Sequence, residues 1–294
     1  MELKKGFYTA LGTPIDEKGD LIPASLEKEI EMQIKFGASG LLLMGSMGIE
    51  AYLKNSTWAE AVKVAVKANA GRLPLFVGAM DCSIAKVKEK IDLLDGAKID
   101  AIVLTTPYYA NMKPEQVVNF FTVIADYSPV PVFLYDLAVV TKIKITRGIV
   151  DALVNHPNIA GIKTADWELI HYIDRTYPEA KFECLYSGLD AFDYANKMGI
   201  EKNLDGMFAC TPANGRKLYD AIDAGDYVAA RKYLDNILLM RDAMASTRNL
   251  LATFGYAMEL LGCPGSYCQD YALPVNEAEK KLAEDTMRKI GEID

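Results

Sequence analysis

The segment "NIAGIKTADWELI", residues 158–170, carries one lysine in a run that is otherwise typical of a buried strand. Its first part, "IAGIKT" at 159–164, is short, apolar and rich in small residues, and a helix-like pattern begins near residue 167. A buried strand followed directly by an amphipathic helix is the repeating unit of parallel α/β folds. The segment therefore predicts this fold class, and it leaves open why a core strand ends in Lys163.

The same strand–helix unit recurs along the first two thirds of the chain. The predicted strands lie at 7–13, 40–45, 74–79, 101–106, 131–136, 159–164, 182–188 and 205–210. The predicted helices between them lie at 23–36, 57–70, 83–95, 114–127, 146–155, 167–176 and 190–198. Eight units in about 215 residues is the size of a (β/α)8 TIM barrel.

A doubly wound open sheet is the competing α/β architecture. It usually has a glycine-rich phosphate-binding turn after its first strand, whereas "TPIDEKGDLIP" (13–23) follows here. We therefore predict a catalytic barrel over residues 1–224. The purely helical pattern after residue 213 predicts a C-terminal helical lobe over 225–294, packed on the barrel or on a neighbouring subunit.

Composition excludes several classes of function. The 294 residues carry a formal net charge of −8 with no basic cluster, which argues against a nucleic-acid partner. The N-terminal "MELKKGFYTALGTP" lacks a signal-peptide pattern. No apolar run approaches the roughly 20 residues of a membrane helix. We expect a cytoplasmic protein that does not contact membranes.

Lys163 is the first candidate catalytic residue. Alternation along the strand predicts that Ile159, Gly161 and Lys163 face the barrel interior, while Ala160 and Ile162 face the helices. Barrel enzymes keep reactive groups at the C-terminal strand ends, where Lys163 falls. Burial favours the neutral amine, which attacks a carbonyl to form a Schiff base. The alternative is a lysine that reaches solvent at the rim or pairs with a nearby carboxylate.

Two further groups lie at predicted strand ends. Tyr135 ends the fifth strand, next to the sixth, where a phenol could exchange a proton with an alkoxide. The turn "GSMG" (45–48) would direct backbone N–H groups near Ser46 and Met47 towards one carboxylate. A core tyrosine and an ordinary tight turn are the structural alternatives.

The histidines argue against metal chemistry. His156 lies in a helix-to-strand loop, at the opposite end of the barrel, and His171 lies within a helix. Neither position suits a metal ligand or a general base at the barrel mouth, so a metal-dependent aldolase is disfavoured. We expect no metal and no organic cofactor.

Five motifs together resemble those of a known family. They are "GSMGIEAYL" (45–53), "TPYY" (106–109), "LYD" (134–136), "GIKTA" (161–165) and "YSGLD" (186–190). In this order, the chain resembles the dihydrodipicolinate synthase and N-acetylneuraminate lyase family of class I, pyruvate-type aldolases. The resemblance implies that Lys163 forms the Schiff base with pyruvate or another 2-keto acid. It implies that Tyr135 exchanges the hydroxyl proton and that Ser46 and the Met47 backbone hold the carboxylate.

The resemblance adds candidates at the rim. Tyr109 resembles the family's rim tyrosine, which is contributed across a subunit interface in a homotetramer. Gly188 and Asp190, after the seventh strand, and Cys210, at the end of the predicted eighth, are further substrate-binding candidates. A carboxylate such as Asp190 accepts hydrogen bonds from hydroxyl groups and repels phosphate, although a helix N-cap is the alternative role.

The chain departs from the family at three positions. Met47 replaces a second hydroxyl residue, which is expected to break the usual relay unless water, Thr106 or Thr164 completes it. Val140 stands where dihydrodipicolinate synthases carry an arginine, which argues against aspartate semialdehyde as acceptor. Ala191 follows Asp190 where sialic acid lyases carry a second acid.

The sequence thus predicts a class I lyase that cleaves or forms an unphosphorylated 2-keto-3-deoxy sugar acid, giving pyruvate and an aldehyde. N-acetylneuraminate lyase and dihydrodipicolinate synthase are the alternative activities. A hypothesis of another class is a 2-keto acid binding or scaffold protein with weak turnover, because Met47 lacks the relay hydroxyl.

Overall fold

The computed structural model describes residues 2–294 and contains a closed barrel of eight parallel strands in the order β1 to β8. The strands are β1 (Gly6–Ala10), β2 (Gly40–Leu43), β3 (Leu75–Gly78), β4 (Ala101–Thr105), β5 (Val132–Tyr135), β6 (Ile159–Thr164), β7 (Glu183–Tyr186) and β8 (Lys202–Asp205). The predicted TIM barrel is therefore confirmed.

Helices surround the barrel and continue beyond it. Those that alternate with strands are α1 (Pro23–Lys35), α2 (Asn55–Asn69), α3 (Ile84–Asp92), α4 (Pro114–Tyr127), α5 (Ala138–Thr141), α6 (Arg147–Leu153), α7 (Trp167–Thr176) and α8 (Phe192–Lys197). After β8 follow α9 (Met207–Cys210), α10 (Pro212–Asp223), α11 (Tyr227–Ala245), α12 (Leu250–Leu260) and α13 (Glu277–Ile290).

The predicted position of the eighth strand is wrong. The chain forms β8 at Lys202–Asp205, and the apolar run at 207–210 forms the short helix α9 instead. Asp205 stabilises the transition from strand to helix, because its Oδ1 accepts a hydrogen bond of 2.8 Å from the backbone N–H of Met207. Asp205 therefore lies at the C-terminal end of the strand and not at its start.

The barrel interior is a packed core and not a channel. Large side chains from alternate strand positions fill it, including Tyr8, Phe76, Phe133 and Leu204, each at most 1% exposed. Tyr8 and Phe76, and Phe76 and Phe133, have ring centroids 6.3 and 5.3 Å apart. Because these layers close the lower barrel, only the C-terminal strand ends remain for a ligand.

Strand β6 does not alternate as the sequence predicts. Val132 pairs with Ile159, but Phe133 pairs with Gly161, so the register shifts at Ala160. Ile159 consequently packs in the outer core, and Ala160 packs with the barrel interior. Their predicted faces are reversed by this bulge. Beyond it, regular alternation places Lys163 on the interior side and Ile162 in the outer core.

The last helices form an extension that packs against the barrel through α9 and α10. Helix α11 packs against α10 and α13, and α12 packs against α9. The division of the chain into two domains at residue 224 stays a prediction. Among residues 2–294, no helix combines the length and apolarity that crossing a membrane requires, and the cytoplasmic location also stays a prediction.

Candidate active site

A pocket of about 900 Å³ opens at the C-terminal ends of the strands. Its wall includes five groups at or just after strand ends: Ser46, Thr105, Tyr135, Lys163 and Asp205. The pocket lies where barrel enzymes place their chemistry. Its volume is in the range of small-molecule sites.

Lys163, Tyr135 and Ser46 form the centre of this pocket. Lys163 is 5% exposed, and its Nζ lies 4.0 Å from the centroid of the Tyr135 ring. The Tyr135 hydroxyl and Ser46 Oγ are 3.1 Å apart and share a hydrogen bond. Tyr135 and Lys163 are paired neighbours in the β5–β6 register. The structure thus brings together the amine and the phenol, which the sequence predicted to be neighbours, and adds the aliphatic hydroxyl of Ser46.

The Ser46 contact bears on one sequence-based expectation. Met47 was expected to break the hydroxyl relay at Tyr135, but Ser46 supplies a hydroxyl partner to the phenol. The suggested substitutes do not serve: Thr164 donates to Asp136 at 2.8 Å, and Thr106 donates to Thr141 at 2.9 Å. The first of the two turn residues therefore makes the contact with Tyr135, and the relay from there to a second tyrosine stays a prediction.

The 45–48 turn has an unusual backbone that explains its glycines. Met44 and Ile49, which flank it, have φ values of 54° and 48°, in the left-handed region. A Cβ on Gly48 would lie 2.7 Å from Met44 Cα, so no larger residue fits there. Within residues 2–294, the N–H groups of Ser46 and Met47 donate to no protein acceptor. Strained backbone with free donors is a feature of ligand-binding turns.

Charges at the pocket mouth are already paired. Lys144 lines the pocket and pairs with Asp136 and, at 3.0 Å, with Asp166. Asp136 also accepts hydrogen bonds from Thr164 and from the Ile145 N–H. Lys144 is therefore neutralised by two carboxylates and is a poor anchor for a second substrate carboxylate.

The two tyrosines after β4 have different environments. Tyr108 lines the pocket, and burial, followed by the nearby Cys82, raises the pKa of its phenol well above the ordinary value. Tyr109 is 91% exposed and lies outside the pocket wall. Its predicted role at a subunit interface stays a prediction.

Three predicted substrate-binding residues lie outside the pocket wall. Gly188 packs beside Tyr186, whose hydroxyl would be 2.2 Å from an added Cβ, and the preceding Ser187 lines the pocket instead. Asp190 accepts a hydrogen bond of 2.6 Å from Arg241, which lowers the pKa of its carboxyl. Cys210 is fully buried in α9. It does not reach the pocket, because the chain forms a helix where the eighth strand was predicted to end.

Asp205 is a pocket residue that the sequence analysis missed. It ends β8 and lines the pocket with Lys163. The misplaced eighth strand put it at the wrong end of the barrel. The signal that could have found it is the sequence "LDG" (204–206), a carboxylate between an apolar strand residue and a glycine.

Metal ligands are not clustered in the described part of the chain. Within residues 2–294, no group of three or more histidine, cysteine or acidic side chains could hold a metal ion.

Comparison with known proteins identifies relatives across the whole chain. A 4-hydroxy-tetrahydrodipicolinate synthase of Acidiphilium cryptum is 29% identical, with 97% of this chain and 98% of the relative covered. Another of Exiguobacterium sibiricum is 28% identical, with 83% and 84% covered.

Solved structures share the fold at lower identity. YagE, a prophage protein of E. coli K12 solved in complex with pyruvate, is 23% identical with a TM-score of 0.88, and 99% of each chain is covered. N-acetylneuraminate lyase of Mycoplasma synoviae is 22% identical with a TM-score of 0.83, and 97% of each chain is covered.

The model of the dihydrodipicolinate synthetase family matches residues 3–290, nearly the full length of the chain. This match extends through the strand ends that carry Ser46, Tyr135 and Lys163. The chain therefore belongs to the dihydrodipicolinate synthetase family and is a class I aldolase or lyase of the pyruvate-dependent type.

Proposed function

We propose that this enzyme cleaves or forms an unphosphorylated 4-hydroxy-2-keto acid, with a 2-keto-3-deoxy sugar acid as the first substrate class to test. Pyruvate and an aldehyde are the products of cleavage. One observation carries the proposal: Lys163 Nζ lies over the Tyr135 ring at 4.0 Å, and the Tyr135 hydroxyl is hydrogen-bonded to Ser46.

The proposed chemistry follows from this arrangement. The neutral Lys163 amine attacks the keto carbon and, after loss of water, forms a protonated imine. Tyr135, in its phenolate form, then accepts the proton of the C4 hydroxyl as the C3–C4 bond breaks and the electron pair moves into the imine, and this proton is then passed to C3 of the resulting enamine. The Ser46 hydroxyl orients Tyr135. The unpartnered N–H groups of Ser46 and Met47 support binding of the 2-keto acid carboxylate at the glycine turn.

The pocket charges favour an acceptor aldehyde without a second carboxylate. Val140 lines the pocket where an arginine would bind such a group, and Lys144 is paired with Asp136 and Asp166. A carboxylate entering here would lose hydration without gaining a free cation. Condensation with aspartate semialdehyde is therefore disfavoured, although the relatives above are named for that synthase.

A second candidate substrate is favoured by the apolar outer wall. Leu137, Val139 and Val140 line one side of the pocket, and Leu250 and Leu251 line it as well. Because these side chains offer no hydrogen bonds to hydroxyl groups, they favour an aldehyde with an apolar substituent. Ser187 and Gln269, also in the wall, are the groups that could bind sugar hydroxyls.

A substrate panel tests the proposal. Pyruvate release is measured from unphosphorylated 2-keto-3-deoxy sugar acids and from 4-hydroxy-2-keto acids with apolar substituents, beside pyruvate condensation with aspartate semialdehyde. The proposal predicts turnover of at least one of the first two classes and loss of it in Lys163→Met. It is wrong if aspartate semialdehyde is the preferred acceptor, or if no pair turns over.

The oligomeric state is part of the proposal. A homotetramer agrees with the 91% exposure of Tyr109, which would gain burial at a subunit interface. One structural relative, 18% identical with a TM-score of 0.88, is described as the first monomeric dihydrodipicolinate synthase variant. Light scattering on Tyr109→Ala and wild type tests whether this residue supports assembly.

A further inference from the structure

Asp205 is a carboxyl group in the catalytic pocket that the chemistry above does not use. It ends β8, which lies between β7 and β1, and the next residue, Gly206, packs against Met47 of the 45–48 turn. Only Oδ1 is engaged, by the Met207 N–H at 2.8 Å. The other carboxyl oxygen has no protein donor in residues 2–294, and the residue lines the same cavity as Lys163.

The surroundings of Asp205 are shaped to keep this carboxyl in place. Gly206 follows it, and a Cβ there would lie 2.7 Å from Met47 Cε, so the Met47 side chain packs directly over the glycine. The Met207 bond fixes one oxygen and leaves the second directed away from that bond. Asp205 is therefore held by its neighbours on one side and open to the pocket on the other.

The charged groups around Asp205 act in opposite directions. Burial raises the pKa of its carboxyl, and the Met207 hydrogen bond, Lys163 and Arg241 each oppose that shift, while Asp190 adds to it. The raised pKa means that Asp205 holds its proton to higher pH than an exposed aspartate. Lys163 and Asp205 interact electrostatically without forming an ion pair in residues 2–294.

We propose that Asp205 is a further catalytic residue, the general acid and base for formation and hydrolysis of the imine at Lys163. The proposal rests on the proposed function, because it requires a Schiff base at that lysine. It assigns separate proton transfers to separate groups: Tyr135 serves the C4 hydroxyl, and Asp205 serves the oxygen that leaves from, or adds to, the keto carbon.

The proton balance of the step is complete. Addition of the Lys163 amine to the ketone gives a neutral carbinolamine. The nitrogen lone pair then forms the C=N bond while the C–O bond breaks, and the departing hydroxyl takes the proton of the Asp205 carboxyl. The products are water, a positively charged iminium and a negatively charged carboxylate, which stabilise each other in the partly buried pocket. In hydrolysis, water attacks the iminium carbon and Asp205 takes its proton.

Time-resolved trapping of the imine tests this assignment. Full-length enzyme is mixed with excess pyruvate, quenched at intervals with sodium borohydride and measured by intact mass between pH 5 and 9. Asp205→Asn keeps an oxygen that accepts from Met207 but cannot donate a carboxyl proton. We expect its adduct to form about 10²-fold more slowly, a typical loss for one general acid, and to reach the same final mass.

The pH profile separates catalysis from a structural role. Wild type should lose rate at the alkaline side as the Asp205 carboxyl ionises, Asp205→Asn should lack that dependence, and Asp205→Glu should keep it. Asp242→Asn, which removes an exposed carboxylate beside Arg241, is the matched control and should retain the wild-type profile. If Asp205→Asn does not fold, wild type and Asp205→Glu decide the question, and a profile without this dependence in both overturns the proposal.

The remaining outcomes are distinguishable. Equal trapping rates and profiles for wild type and Asp205→Asn overturn the role of Asp205 and leave the proposed function intact. A slower Asp205→Asn with an unchanged pH profile also overturns it, because the residue would then only support the pocket. Absence of any adduct in wild type overturns both this inference and the proposed function.

Discussion

Lys90 and Lys163 are buried almost equally, at 7% and 5% exposure, but their surroundings differ. Lys90 Nζ lies 2.5 Å from Glu50 and 3.2 Å from Asp81, and it also donates to the Met80 carbonyl at 2.7 Å. Lys163 faces the Tyr135 ring and the pocket, with no ion pair in residues 2–294. Both lie near one cavity, since Glu50 and Met80 line it too.

Burial alone therefore does not mark a reactive lysine. Lys90 pairs with two carboxyl groups, and its donors are occupied by protein acceptors. Lys163 has an aromatic ring, which contributes much less than a carboxylate, and open space for a ligand. A lysine of the first kind supports structure, whereas one of the second kind is available for nucleophilic attack.

The largest expected effect is that of Lys163→Met. Removing the amine removes the proposed nucleophile, so turnover should fall to the uncatalysed rate. Stability should be unchanged or higher, because a buried amine without an ion-pair partner is replaced by an apolar side chain of similar length. Steady-state assays and urea denaturation measure the two quantities, and a marked loss of stability would contradict the comparison.

Tyr135→Phe separates the contribution of the ring beside Lys163 from that of the phenol hydroxyl. The ring under Lys163 Nζ is kept, but the hydroxyl that contacts Ser46 is lost. We expect turnover to fall by about 10²–10⁴-fold, the range for one proton-transfer group. The imine with pyruvate should still form, as trapping by borohydride would show. Loss of the adduct would mean that the phenol is needed before the carbon–carbon bond breaks.

The sequence identified Lys163 but not its contrast with Lys90. Lys163 was visible because it interrupts an apolar strand, whereas a lysine in an amphipathic helix such as α3 is ordinary. Whether a helical lysine is exposed or paired depends on side chains from the loops after β2 and β3, which only the fold brings together.

The eighth strand shows where pattern reading fails. Its Asn203 is fully buried, with side-chain hydrogen bonds to Asn196 and Tyr219, so the strand is less apolar than the helix after it. The strand was therefore predicted over the apolar run at 207–210, and this prediction placed Asp205 at the wrong end of the barrel. The other seven strands and the Lys163–Tyr135 neighbourhood were predicted, because apolar strands and barrel order determine them.

Lys90→Met tests whether the ion pairs of Lys90 stabilise the fold. It leaves the buried Glu50 without a cation and the buried Asp81 with only Lys86. We expect a loss of about 3–5 kcal/mol in the free energy of unfolding, as for other broken buried pairs. The folded fraction should still form the adduct with pyruvate. A stability equal to wild type would mean that the cluster does not hold Lys90 as described.

Glu29 extends the comparison to a buried acid without a cation. It accepts one hydrogen bond of 2.9 Å from the Gly12 N–H, its Oε2 has no partner in residues 2–294, and burial raises the pKa of its carboxyl to about 8. The folded state keeps this proton up to about pH 8, whereas the unfolded state releases it near the ordinary glutamate pKa of 4.5. Stability is therefore lost as pH rises between these values.

Glu29→Gln should remove that pH dependence. At pH 8 the variant should be more stable than wild type by on the order of 2–4 kcal/mol, and at pH 5 the two should be similar. Urea denaturation at both pH values measures the difference. Parallel stability changes in the two proteins would show that Glu29 does not titrate in this range.

The most direct test is to determine which of the two buried lysines forms the imine. Wild type and Lys163→Met are incubated with pyruvate and sodium borohydride, and intact mass and peptide mapping follow. The account predicts one irreversible reduced-pyruvate adduct in wild type, on the peptide that contains Lys163, and none in the variant. An adduct on Lys90, or no adduct in wild type, would contradict the claim that an unpaired lysine in this pocket is the nucleophile.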